Sequence, residues 1–341
     1  MTPQQQAGAE RRLYEAKQQY HTSVIEQAKS MMQPKDRLLY LTEFGSTLYG
    51  TDALSSDIDY KGIFLPSVDS VILGTDKATY EYSTGDKGSK NTSDDIDMSL
   101  YSLQQFFKLI SKGETSALDL LFAMKSDSVL YVEPRLRDIL HKNLDKLLTK
   151  NTSAFVGYCM QQASKYGIKG SRYGEIVEFA KHLSTCSNCH QISTEGYKYI
   201  MEVRKLDKVY ISVLGKLHDV ALPIQLLKDR VLAARDQYGS RAKASKDGTD
   251  WKALSHALRV ILELTELIST STIKFPLAYA EAIKEVKYNT DESLLPKTLK
   301  DIKDKLDEVE ELVRTSDLPQ TADKEFLNHL LLSYYKKRAY P

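Results

Sequence analysis

The stretch that decides the fold runs from Gly45 to Pro66, GSTLYGTDALSSDIDYKGIFLP. It opens on a Gly-Ser turn, passes into a short helix, and returns to extended chain at Asp57-Ile58-Asp59. Residues two apart on a strand point to the same face, so Asp57 and Asp59 present two carboxylates side by side. Adjacent carboxylates repel each other unless a cation sits between them. Mg²⁺ is a hard ion that takes a few carboxylate oxygens together with substrate phosphate oxygens. Gly45 permits close backbone approach, and the Ser46 hydroxyl and the N–H groups after it can donate to phosphate. A helix beginning at Ser46 adds a favourable dipole. An Asp-x-Asp in a surface turn is common and carries little alone. Its place here, eleven residues after Ser46 and at the head of a strand, makes it specific.

Working outward, residues 37–44 (RLLYLTEF) read as a strand before the turn, and residues 8–33 as an amphipathic helix ended by Pro34. After Pro66 the chain is polar to residue 93, and Gly85 to Ser93 reads as a mobile loop. Residues 95–101 (DIDMSLY) alternate polar and apolar, the pattern of a strand with one wet face. It carries Asp95 and Asp97 on that face. A pair of metal ions about 4 Å apart needs a third carboxylate to bridge them or to deprotonate the attacking hydroxyl. Asp97 is the expected third member, with Asp95 the alternative. Helical patterns follow at 102–112 and 116–124, with a short strand at 128–132. Beyond residue 135 the pattern is helical: 135–149, 151–166, 174–186, 194–218, 222–238, 250–270, 276–286 and 295–315, with an exposed loop at 239–249. The expectation is an α+β chain. A short mixed sheet with helices occupies residues 1–140, N-terminal helix included, and an all-α domain occupies 141–341.

The Gly45–Pro66 segment resembles the signature of the DNA polymerase β nucleotidyltransferase superfamily. Within it, the chain is most similar to the predicted nucleotidyltransferases linked to RNA repair (RlaP-like), in GS…YG…SDIDxxGxF. The likeness extends to YSLQQFFKLISKG at 101–113, the ALDLLFA run, and the helix DWKALSHALRVILEL. It touches most of the chain, and its strong motif is N-terminal. The resemblance implies a polymerase β-like catalytic domain that transfers a nucleoside monophosphate from an NTP, ATP included, to a hydroxyl, with release of pyrophosphate. It implies that Gly45 and Ser46 hold the triphosphate, that Asp57 and Asp59 bind two Mg²⁺ (or Mn²⁺) ions, and that Asp97 is third ligand and base. Relatives of this type carry arginine where this chain has Thr47, so Lys61 or a residue of the helical domain is expected to supply that cation. The acceptor it favours is an RNA 3′ end. A protein or small-molecule acceptor, and a non-catalytic nucleotide-sensing module, are the alternatives.

Lys252, His256 and Arg259 recur at i, i+4 and i+7, on one face of a helix. They read as a basic stripe for triphosphate or acceptor phosphates, or as a plain solvated face opposite Leu254, Leu258 and Leu262. Tyr166–Arg172 (YGIKGSR) reads as a basic interhelical loop. Cys186-Ser-Asn-Cys189-His190 has the letters of a haem attachment site but no export signal and no second ligand pair, so neither haem nor zinc is expected. Tyrosine is abundant, at 21 residues, and Tyr49 and Tyr60 beside the motif are candidates for stacking on a base. With 47 basic and 46 acidic residues the net charge is +1, so any nucleic-acid contact must come from a local patch. Three cysteines, no apolar leader at the N-terminus and no long apolar run lead to the expectation of a cytoplasmic chain without a membrane span.

Overall fold

The computed structural model describes residues 3–53, 56–85, 95–151, 169–197, 200–205, 208–213, 216–244 and 251–339. The chain falls into two compact units. The first comprises Met1–Gly157, Arg259–Lys284 and Lys305–Pro341, the second Tyr158–Leu258 and Glu285–Asp304. The expected single cut near residue 140 is therefore replaced by an interleaved division. Local periodicity carries no information about which distant helices return to the first unit.

The first unit is built on a mixed five-stranded sheet, order β3-β4-β2-β1-β5. Its strands are β1 (Arg37–Phe44), β2 (Ile58–Leu65), β3 (Thr79–Ser83), β4 (Ile96–Ser102) and β5 (Val129–Val132). β2 and β4 run parallel, and the other pairs are antiparallel. Alternation along β2 and β4 sets the two faces. Tyr60, Phe64, Met98 and Leu100 join Leu38, Leu41 and Tyr80 in a core closed by Val24 and Ala28 of helix α1 (Pro3–Ser30). Each such large apolar side chain contributes roughly 1.5–3 kcal/mol by leaving water. Asp59 and Lys61 of β2, with Asp97 and Ser99 of β4, alternate onto the opposite face. That face carries the chemistry.

Two short helices, α2 (Gly45–Tyr49) and α3 (Val68–Ile72), precede α4 (Leu103–Ile110), α5 (Thr115–Ala123), α6 (Pro134–Lys142) and α7 (Leu144–Leu147). β3 and α3 lie inside the stretch expected to be polar loop. β3 is a five-residue strand of sequence TYEYS at the edge of the sheet among the described residues, paired with β4, so no strong apolar alternation marks it. Its Tyr80 hydroxyl donates to Asp36 and accepts from the Gln33 N–H, which fixes it to the turn before β1.

In the second unit, α8 (Lys169–Thr185) and α9 (Ile224–Ala244) pack with a three-stranded antiparallel sheet, β6 (Ile200–Lys205), β7 (Lys208–Val213) and β8 (Lys216–Asp219). The expected helix 194–218 is wrong, and this part of the chain is not all-α. Val209, Ile211 and Val213 recur with period two and are β-branched, which favours a pleated surface over a helix. Ile200, Ile211 and Val213 close a core with Ile176, Phe179 and Leu183 of α8 and Leu227 and Val231 of α9. The expected basic loop Tyr166–Arg172 is a helix start from Lys169 onward, and α9 continues to Ala244, through half of the expected loop 239–249. The rest of that loop, the expected helix 151–166 and most of Gly85–Ser93 lie outside the described residues.

Helices α10 (Trp251–Thr270), α11 (Ala280–Lys287), α12 (Leu295–Thr315) and α13 (Lys324–Ala339) complete the chain. α13 has no counterpart in the sequence reading. Its start is capped by Asp323, which accepts from the Phe326 N–H at 2.9 Å. Among the described residues no helix is long and apolar enough to cross a membrane.

Candidate active site

β1 ends at Phe44, and Gly45 turns the chain with φ +60 into α2. A left-handed backbone favours glycine, but space matters more here. A Cβ at Gly45 would overlap Oδ2 of Asp59 and stand 2.9 Å from its Cγ. The Asp59 carboxylate thus packs directly on the glycine of the Gly-Ser bend. α2 is capped by Gly50, also left-handed at φ 71, where a Cβ would meet Pro276 at 2.9 Å. The Leu277 N–H donates to the Tyr49 carbonyl at 3.2 Å, so the segment after α10 holds the far end of α2.

The register of the parallel pair sets Asp59 of β2 directly beside Asp97 of β4. Registered neighbours on adjacent strands share a face. Both are half-buried, as is Asp57, which stands just before β2. The Ile58 N–H donates to the Asp95 carbonyl, and the Asp95 side chain accepts from the Thr84 hydroxyl at 3.2 Å. Asp95 is thereby committed to the end of β3, while Asp97 is the residue aligned with Asp59. Among the described residues, no three His, Cys, Asp or Glu side chains form a ready-made metal cluster. The strands bring Asp59 and Asp97 together, with Asp57 flanking them, and Ser46 is half-buried next to Gly45.

Lys61 follows Asp59 by two residues on the same face. Its ammonium lies 4.4 Å from the Phe44 ring centroid and 5.8 Å from that of Tyr101, one on each neighbouring strand. These rings hold the cation on the acidic face.

Behind α2 is a charged cluster that sequence reasoning missed. Tyr49 donates from its hydroxyl to Asp119 Oδ2 at 2.8 Å. Arg259 reaches the same oxygen at 3.4 Å, forks onto Glu263 at 2.8 and 2.9 Å, and lays its guanidinium 4.0 Å from the Tyr49 ring centroid. Asp119 is 2 % exposed and Glu263 0 %, so burial pushes both acids up, with Glu263 reaching about 8. Arg259 opposes the rise in each case. The signals for this cluster were present: Asp119 is the lone charge in ALDLLFA, and Arg259 and Glu263 are an i,i+4 pair.

The expected basic stripe divides. Arg259 is buried in that cluster, with its charge committed to two carboxylates. Lys252 is exposed and His256 half-buried on the part of α10 that belongs to the second unit. Tyr49 and Tyr60 are both buried, 7 % and 1 % exposed, so neither presents a face for a base to stack on. Cys186 and Cys189 are buried free thiols, and Cys186 Sγ lies 3.9 Å from His182 Nε2.

The model of the RNA repair pathway DNA polymerase beta family, RlaP, matches residues 9–338. An uncharacterized 38.9 kDa protein of the nrdC-mobD intergenic region of Enterobacteria phage T4 is 30% identical over 319 residues, covering 86% of this chain and 95% of that protein. A nucleotidyltransferase-like protein from Exiguobacterium sibiricum 255-15, solved by crystallography, matches over 87% of this chain and 74% of its own at 9% identity and a TM-score of 0.26.

Proposed function

Because the chain belongs to the RNA repair pathway DNA polymerase beta family, we propose that it is a divalent-metal-dependent nucleotidyltransferase acting on RNA 3′ ends. The observation that carries this reading is the alignment of Asp59 with Asp97, with the Asp59 carboxylate seated on Gly45 of the Gly-Ser bend. Asp57, Asp59 and Asp97 offer the hard oxygen donors that Mg²⁺ or Mn²⁺ prefers, and they are the residues that would hold two such ions. Bound there, the ions would offset the charge of the triphosphate and acidify the attacking hydroxyl.

The chain's own groups perform the rest. Gly45 and Ser46 cradle the triphosphate, the first by leaving room and the second by donating its hydroxyl. A helix start supplies N–H groups that have no acceptor within the helix. Lys61, held on the same face, adds a positive charge where phosphate charge develops. Asp97 accepts the proton of the 3′ hydroxyl as its oxygen attacks the α-phosphorus. The α–β phosphoanhydride bond breaks and pyrophosphate leaves with the bonding pair. Positioning and charge complementarity supply most of the rate. Lys252 and His256, one helical turn apart on the second unit, are proposed as phosphate-binding groups of that unit.

The test is incubation with each α-³²P-labelled NTP, Mg²⁺ and total RNA. Label is expected on RNA, and periodate oxidation of the 3′ ends should abolish it. Label on protein or on small molecules in place of RNA would overturn the acceptor assignment. Absence of pyrophosphate release with every acceptor offered would overturn the enzyme itself.

A further inference from the structure

A cavity of about 380 Å³ opens on the first unit, away from the carboxylates. Its size falls in the range of small-molecule sites, roughly 300–1,000 Å³. Four elements wall it, one of them α7 through Leu144. The end of α5 and the turn after it supply Phe122, Lys125 and Ser126; α6 supplies His141; the segment after α10 supplies Lys274 and Phe275. Lys125 and Lys274 are exposed, so the cationic groups lie where the cavity meets water.

The chemistry of the wall is selective. The His141 Nε2 lies 2.9 Å from the Leu121 carbonyl, so that nitrogen carries the proton and donates, leaving Nδ1 to meet a ligand. The ring packs edge-on to Phe122, 6.3 Å between centroids. Burial lowers the His141 pKa first, and the charges of Lys125 and Arg137 lower it further, against Asp138, which raises it. The imidazole is therefore held toward its neutral form, with Nδ1 an acceptor. Glu266, the acid beside Lys274, is committed elsewhere: it accepts from the Lys274 backbone N–H at 3.1 Å and from the Tyr279 hydroxyl at 3.2 Å. The Ser126 hydroxyl is committed to the Ala123 carbonyl and the Ser128 N–H. What the wall offers a ligand is two exposed cations, the half-buried Phe275 ring and one imidazole acceptor, which together match a phosphate joined to a planar base that carries an N–H donor.

The cavity also has a defined relation to the Gly-Ser bend. The Phe275 ring is 6.0 Å from Tyr49, and Tyr49 is 5.9 Å from Phe44, the residue before Gly45. Two buried rings separate the cavity from the triphosphate cradle, so a ligand here is additional to the NTP.

We propose that this cavity binds a nucleoside monophosphate unit, its base against the half-buried Phe275 ring and its phosphate between Lys125 and Lys274. The unit is either a free nucleotide or the phosphorylated terminal residue of an RNA strand. Binding needs no divalent ion and does not rest on the catalytic reading above.

Calorimetric titration of the full chain with AMP in EDTA tests this. AMP is expected to bind, with adenosine and inorganic phosphate each weaker by about tenfold or more, or ~1.4 kcal/mol. Lys125→Glu with Lys274→Glu should weaken AMP by a similar factor while the thermal midpoint holds, and Lys125→Ala with Lys274→Ala should do so less. Asp59→Asn should leave AMP affinity unchanged, which separates this site from the carboxylates. A 5′-phosphorylated trinucleotide that displaces AMP, where its 5′-hydroxyl twin does not, identifies a strand end as the source; failure of both to displace it identifies the free nucleotide. The proposal is overturned if folded protein does not bind AMP in EDTA, if charge reversal leaves affinity intact, or if Asp59→Asn removes it.

Discussion

The Tyr49 hydroxyl donates a 2.8 Å hydrogen bond to Oδ2 of Asp119, an acid buried in the middle of α5. Tyr49 is the last residue of the helix that begins at the Gly-Ser bend, so this bond anchors the cradle to the interior. Arg259 completes the arrangement by stacking on the Tyr49 ring and pairing with Asp119 and Glu263. Two acids share one guanidinium in a site closed to water, and so the cluster favours retaining a proton.

Tyr49→Phe keeps the ring beneath Arg259 and deletes only the donor. The loss of one hydrogen bond to a buried acid costs about 1–3 kcal/mol. Denaturant unfolding should show that loss, and Tyr49→Phe combined with Asp119→Asn should cost less than the sum of the single changes. Strictly additive losses would show that the two groups do not act together.

The proton held by this cluster gives stability a pH dependence. Burial raises Glu263 from 4.5 to about 8 in the folded chain, against the pull of Arg259. A carboxyl raised on folding binds more protons in the native state, so its contribution is full below pH 4.5 and is lost as pH rises toward about 8. Stability measured at pH 5.5, 7 and 8.5 should fall through this window, and Glu263→Gln should flatten the slope while lowering stability overall. An unchanged slope in Glu263→Gln would assign the proton to another group.

Gly45 and Gly50 together separate folding from chemistry. Alanine there must adopt φ +60, a cost of roughly 1–2 kcal/mol, and must also displace the Asp59 carboxylate. Gly50→Ala carries a similar backbone cost against Pro276 without touching Asp59. Thermal midpoints of the two variants should fall comparably. Label transfer per folded molecule should drop far more in Gly45→Ala, and equal transfer in both would remove Asp59's seat on Gly45 from the account.

Lys61→Met removes the cation between Phe44 and Tyr101 and keeps most of its apolar bulk. The kcat/KM for NTP is expected to fall about 10²-fold, the size seen when one preorganised charge-stabilising donor is lost, with Lys61→Arg recovering part of it. A kcat/KM within a few-fold of the parent would leave the cation of the cradle to some other residue.

Much of this arrangement was legible in the residues. Alternation along DIDYKGIF and DIDMSLY placed two strands and put Asp57, Asp59, Asp95 and Asp97 at their heads. Which acid aligns with Asp59 was not legible, because register is set by pairing of strands distant in sequence; in the sheet Asp97 is the registered neighbour of Asp59, and Asp95 accepts from Thr84. Arg259 looked like one third of a surface stripe, since helical spacing shows a face but not what covers it. A distant acid, Asp119, draws it inward. The β6–β8 sheet was hidden because its strands are six residues or fewer, rich in Lys, Arg and Glu, and their charges mimic an amphipathic helix. The cavity around His141 could not be read at all, as residues 122–144 and the distant segment 272–275 build it together.

The most direct measurement of the central claim is single-turnover transfer of an α-³²P-labelled NTP to RNA, with Mg²⁺ varied, for the parent chain and for Asp59→Asn, Asp97→Asn and Asp95→Asn. The account predicts that the first two variants each lose about 10²-fold or more in rate, with a weakened Mg²⁺ response, and that Asp95→Asn stays within a few-fold of the parent. Transfer that survives in Asp59→Asn or Asp97→Asn, or that fails in Asp95→Asn alone, would contradict it.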